Sequence, residues 1–191
     1  MQFTDEVEEY TILRLDLSDY PGTTRQLPEG FRIAGPEVRP AVRERERSLI
    51  QSHFLSWAAP YYGELPGWRD ESPLYLLDGE RLIGGIYVCA LNQYGEREIG
   101  QLHYAYMDPA YRGRGLYSSL FAAAVARARE WGLKGLYLNS DRFMLPDVYL
   151  RWGAKPYRVH RKARNKFSRA LWSMSRRAKN RLIALKHFRE A

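Results

Sequence analysis

Apolar and polar positions divide the chain into short runs of two periods. EYTILRLD (9–16) is apolar-rich and gives way to the turn formers of SDYPGTTRQLPEG, which predicts a strand and a loop. FRIAGP predicts a second short strand, ended by its glycine and proline. From Pro40 to about Tyr62 the text is helical, with a break at Pro60. PLYLLDGERLIGGIYVCAL is two apolar runs around Asp78-Gly79, a pair suited to the positive φ of a type I′ hairpin turn. A second turn, NQYGE, leads into REIGQLHYAYM, making three consecutive antiparallel strands. A glycine-rich loop, a helix of about 15 residues, the strand KGLYLNS, a short helix near 145–152 and the strand AKPYRVH complete the order. That order predicts a mixed sheet with helices, class α/β (α+β).

Composition narrows this only a little. Hydrophobic residues make up 45% of the 191, enough for a full core, and no apolar run approaches the ~18 residues of a membrane span. The N-terminus is acidic and has no apolar signal-like stretch. The single cysteine, Cys89, excludes an intrachain disulfide, and its apolar setting (IYVCAL) predicts a buried, inert thiol. No spacing of His, Cys, Asp and Glu suggests a metal site.

Charge changes the picture more. The net +8 is not spread evenly: residues 161–191 hold eleven Lys or Arg against Glu190, leaving nineteen basic and twenty-one acidic side chains elsewhere. A near-neutral body therefore carries a basic appendage.

The chemistry is concentrated in YRGRGLYSSL (111–120), between a predicted strand and a predicted helix. Glycines there let the backbone approach a ligand, helix N-terminal N–H groups point at an anion, and Arg112 and Arg114 add positive charge. A pyrophosphate suits such a place; a solvated turn with two surface arginines is the plain alternative. GRGLYS fits a dinucleotide fingerprint only with Ser118 as third glycine, and it follows antiparallel strands, not the opening of a parallel βαβ unit. A P-loop fails because no G-K-[ST] follows.

From Met107, MDPAYRGRGLYSSL resembles the acetyl-CoA motif of the GNAT superfamily of N-acetyltransferases, roughly V-x-P-x-[YF]-R-G-[KR]-G-[IL]-[GA]. Met107, Pro109, Tyr111, Arg112, Gly113, Arg114, Gly115 and Leu116 fall on it; Tyr117 departs, standing where a small residue is usual. VYLRWGA (148–154) resembles the family's F-Y-x-x-x-G-F element, with Tyr149 on the tyrosine and Ala154 replacing the final aromatic; Arg142 stands where an asparagine is frequent. The resemblance implies a mostly antiparallel GNAT-type sheet over 31–160. An N-terminal strand and loop (1–30) precede it, and a basic amphipathic helix (161–191) follows.

It also implies an acetyl-CoA cosubstrate and an amine acceptor. Strand 99–107 should splay from strand 134–140, with the pantetheine arm between them against the backbone of Ala105 and Met107. The pyrophosphate should lie on Arg112, Gly113, Arg114, Gly115, Leu116 and Tyr117. The Met107 N–H should polarise the thioester carbonyl, and Tyr149 should protonate the leaving sulfur. For the base, period two puts His103 on one face with Ala105 and Met107, and serotonin N-acetyltransferases carry a histidine on this strand. Glu98, acting through a water, is the reserve.

The acceptor is less legible. SHFLSWAAPYYGELPGWRDES brings Trp57, Tyr61, Tyr62 and Trp68 together with Glu64, Asp70 and Glu71, which suits an amine or amino sugar or packs a helix pair. In the tail, Phe167, Leu171, Met174, Ala178, Leu182 and Leu185 form one helical stripe among basic residues. It suits docking on the body or a partner subunit, an anionic membrane surface, or nucleic acid. A homodimer stays open. The expected location is cytoplasmic, with the tail offering attachment to the inner face of a membrane.

Overall fold

The computed structural model describes residues 7–23, 26–54, 65–141 and 146–163. The strands are β1 (Val7–Asp16), β2 (Phe31–Ala34), β3 (Pro73–Asp78), β4 (Arg81–Cys89), β5 (Ile99–Met107), β6 (Gly135–Asp141) and β7 (Lys155–Ala163). The helices are α1 (Arg39–Phe54), α2 (Leu116–Glu130) and α3 (Pro146–Arg151), with short 3-10 turns at Pro36–Val38 and Pro109–Tyr111. The α/β class read from the sequence holds, and the strands form one sheet in the order β2-β3-β4-β5-β6-β1-β7.

All neighbouring pairs run antiparallel except β5–β6. That parallel step requires a crossover, and α2 supplies it. β4 is buried along almost its whole length, as a central strand covered on both faces must be.

The sheet separates two cores. On one face α2 packs Leu116, Leu120, Phe121, Ala124, Val125 and Ala128 against Leu74, Leu76, Ile86, Val88 and Leu102. On the other, α1 lays Val42, Leu49 and Ile50 on Tyr75, Leu77, Tyr87 and Tyr106. Gly85, opposite Tyr106, makes the second packing possible: a Cβ there would lie 2.9 Å from the ring's Cε1.

Three expectations need correction. The N-terminal strand is not an extension: β1 sits inside the sheet, hydrogen-bonded to β6 on one side and β7 on the other, so the division at residue 30 separates nothing. The hairpin at Asp78 pairs Asp78 with Arg81, which leaves Gly79 and Glu80 as the loop. Gly79 takes φ 55° and Glu80 does not share a positive φ, so the turn has II′ character with glycine first. Finally β7 runs to Ala163, into the span assigned to the tail, with Glu9 opposite Arg161 and Glu8 opposite Lys162. The rest of the tail, including its apolar stripe, lies outside the described residues, as do Trp57, Tyr61, Tyr62, Glu64 and Arg142. Among the described residues no helix is long and apolar enough to cross a membrane.

Candidate active site

One irregularity in β5 creates the site. Gly85 faces Tyr106 and Tyr87 faces His103, so three steps on β5 match two on β4. The extra residue is a β-bulge, with Tyr104 at φ 47°, a conformation rare for a bulky side chain. The parallel ladder to β6 runs from Ile99–Gly135 to Leu102–Leu138 and stops at the bulge, while both strands continue. Beyond it β5 and β6 diverge, each with an edge facing the gap. Asp108 N–H donates to Ile83 O at 2.6 Å, on the β4 side. By alternation the N–H groups of Met107 and Ala105 point the other way, into the gap. Strand 99–107 does splay from the strand after α2.

The gap leads to the loop 108–115. Asp108 closes its start by accepting from Ala110 N–H at 3.1 Å and pairing with Arg45 and Arg81. Tyr111 donates its hydroxyl to Asp78 at 2.8 Å, and the Arg114 guanidinium lies 5.0 Å above the Tyr111 ring. Arg112 donates to the Met107 carbonyl at 3.3 Å. These contacts fix the loop between α1, the β3–β4 hairpin and the end of β5, with Arg112, Gly113 and Arg114 exposed. Gly115, the residue before α2, has φ 76° and ψ 4°, and no side chain caps the helix. Only glycine takes that conformation cheaply, and it turns the N–H groups of the first helical turn outward. A Cβ on Gly113 would meet nothing within 4 Å, so the space before the loop is open.

Tyr117 and Tyr149 meet beneath this loop. Their hydroxyls are 2.7 Å apart, and the Tyr117 ring stacks at 6.0 Å on Trp152 of the turn after α3. Gly153, at φ 89°, ends α3 and turns the chain back into β7. Burial, and then Tyr149, push the Tyr117 hydroxyl well above the usual tyrosine range, so it keeps its proton. The residue that departs from the motif is therefore bonded to the hydroxyl of the candidate acid.

His103 is not on the face where period two placed it, and Glu98, the reserve base, is far from Met107. The bulge inverts the pattern: Ala105 and Met107 pack on the α2 face, whereas Tyr104 and Tyr106 pack on the α1 face. His103, opposite Tyr87 of the α1-side core, faces α1 as well. It lies beside the gap but across the sheet from its assumed neighbours. Glu98 lies at the closed end of the β5–β6 pair, about 30 Å along the strand from Met107. It is ion-paired there with Lys134 at 2.7 Å, so the structure does not bring it to the site. Of the acceptor-side candidates, Trp68 packs edge-on against Tyr87 at 5.5 Å. Asp70 and Glu71 are exposed, and the Glu71 carbonyl is held by Arg127 of α2.

Sequence reasoning missed Glu46. It is wholly buried on α1, between Val42 and Leu49–Ile50, and its carboxylate accepts the Tyr87 hydroxyl. A charge at 0% exposure is rare without a role or firm pairing. The signal was present in AVRERERSLI, where the i, i+4, i+7, i+8 stripe Val42, Glu46, Leu49, Ile50 has an acid at a core position.

Comparison with known proteins agrees with this geometry. Residues 42–150, more than half of the chain, match the Acetyltransferase (GNAT) family. YjgM of Escherichia coli (strain K12), described as an uncharacterized N-acetyltransferase, is 27% identical over 148 residues, 72% of this chain and 75% of its own. Among solved structures, a GCN5-related glucosamine N-acetyltransferase region of a fungal multi-domain GH3 β-N-acetylglucosaminidase superposes with TM-score 0.63 at 20% identity. It covers 80% of this chain, which spans 20% of that one. GCN5-related N-acetyltransferases from Kribbella flavida (TM-score 0.57, 15% identity) and Sphaerobacter thermophilus (0.56, 18%) each cover 82% of this chain, which spans 58% and 52% of theirs. At these identities the solved structures speak for the fold alone. The family match, which takes in β4, β5, the loop 108–115 and α2, shows that the chain belongs to the Acetyltransferase (GNAT) family.

Proposed function

We propose that the protein transfers an acetyl group from acetyl-CoA to the primary amine of a small molecule, amino sugar or protein. The observation that carries this reading is the splay of β5 from β6, which opens toward the uncapped start of α2. The residues present fit the coenzyme. Ala105 and Met107 turn N–H groups into the gap, as an added strand would require. Arg112 and Arg114 supply charge beside the 112–117 backbone, and the open space at Gly113 admits a phosphate. When bound, the coenzyme supplies a thioester-linked acetyl group and a thiol as leaving group.

The protein's own groups then divide the work. The Met107 N–H donates to the carbonyl oxygen as negative charge develops there. Tyr149, held in the α2-side core that also takes Ala105 and Met107, gives a proton to sulfur. On the α1 face His103 accepts a proton from the acceptor, with the buried Glu46 carboxylate favouring positive charge on that side. In balance, the ammonium nitrogen forms the bond to carbon and loses two protons, one to His103 and one by way of solvent to restore the Tyr149 hydroxyl. The carbon–sulfur bond breaks, and sulfur takes the proton that Tyr149 gave. The anionic floor and the rings of Tyr87, Tyr104 and Trp68 suit an acceptor that arrives as its ammonium form.

The test uses Gly115→Val and Tyr149→Phe, with acetyl-CoA binding followed by calorimetry and turnover by thiol release in the presence of tryptamine, spermidine or glucosamine. Gly115→Val should abolish binding, because a β-branched residue does not adopt φ 76°. Tyr149→Phe should bind normally and turn over about 10²-fold more slowly. A Gly115→Val protein that binds acetyl-CoA like wild type, or a wild type that binds a nicotinamide dinucleotide instead, would refute the reading.

A further inference from the structure

The tyrosine that breaks the family motif is placed to act on the acid. We infer that Tyr117 is a positioning residue for the proton transfer: its hydroxyl donates to the Tyr149 oxygen and stabilises the phenolate left when Tyr149 gives up its proton. This rests on Tyr149 being the acid, as proposed above.

Three observations support it. The two hydroxyls are 2.7 Å apart, within ordinary hydrogen-bond distance, and either could donate on distance alone. Once Tyr149 has released its proton, only Tyr117 has one to donate between the two. Tyr117 sits in the first turn of α2 with its ring against Trp152 and Phe121, surroundings that strongly favour its neutral, proton-bearing form. A group that keeps its proton beside one that releases it must be the donor. Among the described residues the rings packed around the pair are uncharged: Phe121 of α2, Trp152 after α3, and Tyr20 from the loop after β1, which packs edge-on against Phe121. The Tyr117 hydroxyl, 2.7 Å from the Tyr149 oxygen, is placed to stabilise that phenolate. The step is a single proton movement. The O–H bond of Tyr149 breaks, the proton goes to the thiolate sulfur, and Tyr117 keeps its own proton throughout.

A small residue at 117, usual for this motif, would leave the acid's oxygen without this donor. Tyrosine at 117 therefore distinguishes this chain chemically and not only sterically. A hydrogen bond to a charged oxygen is worth roughly a tenfold effect or more.

The test is Tyr117→Phe in the full-length protein, which keeps the ring on Trp152 and removes only the hydroxyl. Tyrosine Cζ carbons are labelled with 13C, the Tyr149 resonance is assigned from Tyr149→Phe, and its ionisation is followed by NMR without any acceptor. Thiol release from acetyl-CoA with the same three amines is measured in parallel. The expected result is a Tyr149 resonance that titrates about one pH unit higher in Tyr117→Phe than in wild type. With it should come a roughly tenfold fall in kcat, an unchanged KM for acetyl-CoA, and an alkaline limb moved to higher pH. A purely structural role would lower stability without moving the resonance or the limb. An unmoved resonance, or a change confined to KM, overturns the inference while leaving the acetyltransferase reading in place. If Tyr149→Phe turns over like wild type, the acid assignment falls and this inference falls with it.

Discussion

The two faces of the sheet are built from different materials. The α2 face is an apolar core of leucines, isoleucines and valines around Phe121, interrupted by the Tyr117–Tyr149 pair next to the loop 108–115. The α1 face is aromatic and polar, with Tyr75, Tyr87, Tyr104 and Tyr106, and Glu46 buried at its helix. Fully buried apolar rings and aliphatic chains each contribute a few kcal/mol, whereas a buried carboxylate costs stability unless its hydrogen bonds offset the loss of water. The contrast teaches a division of labour. One face holds the fold together and fixes the loop, while the other accepts a stability cost to keep polar groups on rigid strands.

The comparison can be broken most directly through Phe121. It is wholly buried between Tyr20, Tyr149 and Trp152, so Phe121→Ala should destabilise by about 3–5 kcal/mol. In a chain of this size thermal denaturation should fall by roughly 10 °C. An equal loss from Ile50→Val, a small trim on the α1 face, would deny that the faces differ.

The α1 face should behave in the opposite way. In the double variant Glu46→Leu/Tyr87→Phe both partners of the buried hydrogen bond become apolar together, so urea denaturation should change by no more than about 1 kcal/mol. Turnover with a cationic amine should nevertheless fall by about tenfold or more, because the Glu46 carboxyl that holds Tyr87, the residue opposite His103, is gone. A double variant that unfolds easily would make Glu46 a purely structural acid.

A smaller effect sharpens the contrast through pH. On the α2 face the hydroxyls of Tyr117 and Tyr20 are shifted upward, chiefly by burial. In the unfolded chain tyrosines release protons near about pH 10, while these two hold theirs in the folded state. Stability is therefore fully present below about pH 10 and declines as pH rises beyond it, since the unfolded state then binds fewer protons. Urea midpoints measured between neutral and strongly alkaline pH should show this decline, and Tyr117→Phe should flatten it.

The smallest expected change is at Glu98. Its pair with Lys134 is exposed at the closed end of the β5–β6 ladder, so Glu98→Gln should alter stability by under about 0.5 kcal/mol and leave turnover unchanged. Any loss of activity there would restore the reserve base that the structure removes.

Much of this was legible beforehand, for reasons local to each segment. The hairpin at Asp78–Arg81, the 15 residues of α2, and Gly153 closing α3 each follow from neighbouring residues: turn glycines, helical spacing and an αL stop. The loop 108–115 was readable because glycine tolerance of positive φ is an intrinsic property of the residue, and Gly113 and Gly115 both use it. Illegible were the features that depend on a partner strand. The face of His103 turns on one extra residue that exists only relative to β4, and every period-two assignment past Tyr104 inverts with it. Glu46 was hidden because hydropathy reads an acid as solvent-facing, and only its helix position and the Tyr87 hydroxyl bring it inside.

The sequence by itself determined the α/β class, the succession of strands and helices, and the glycine-bearing loop before α2, because these rest on propensities and spacings within a few residues. The tertiary structure decided the rest. It put β1 between β6 and β7, opened the β5–β6 gap at a bulge, and set Tyr117 against Tyr149, residues thirty-two positions apart. Each of these depends on which distant segments share a ladder or a core, and that is settled by the joint packing of both faces of the sheet.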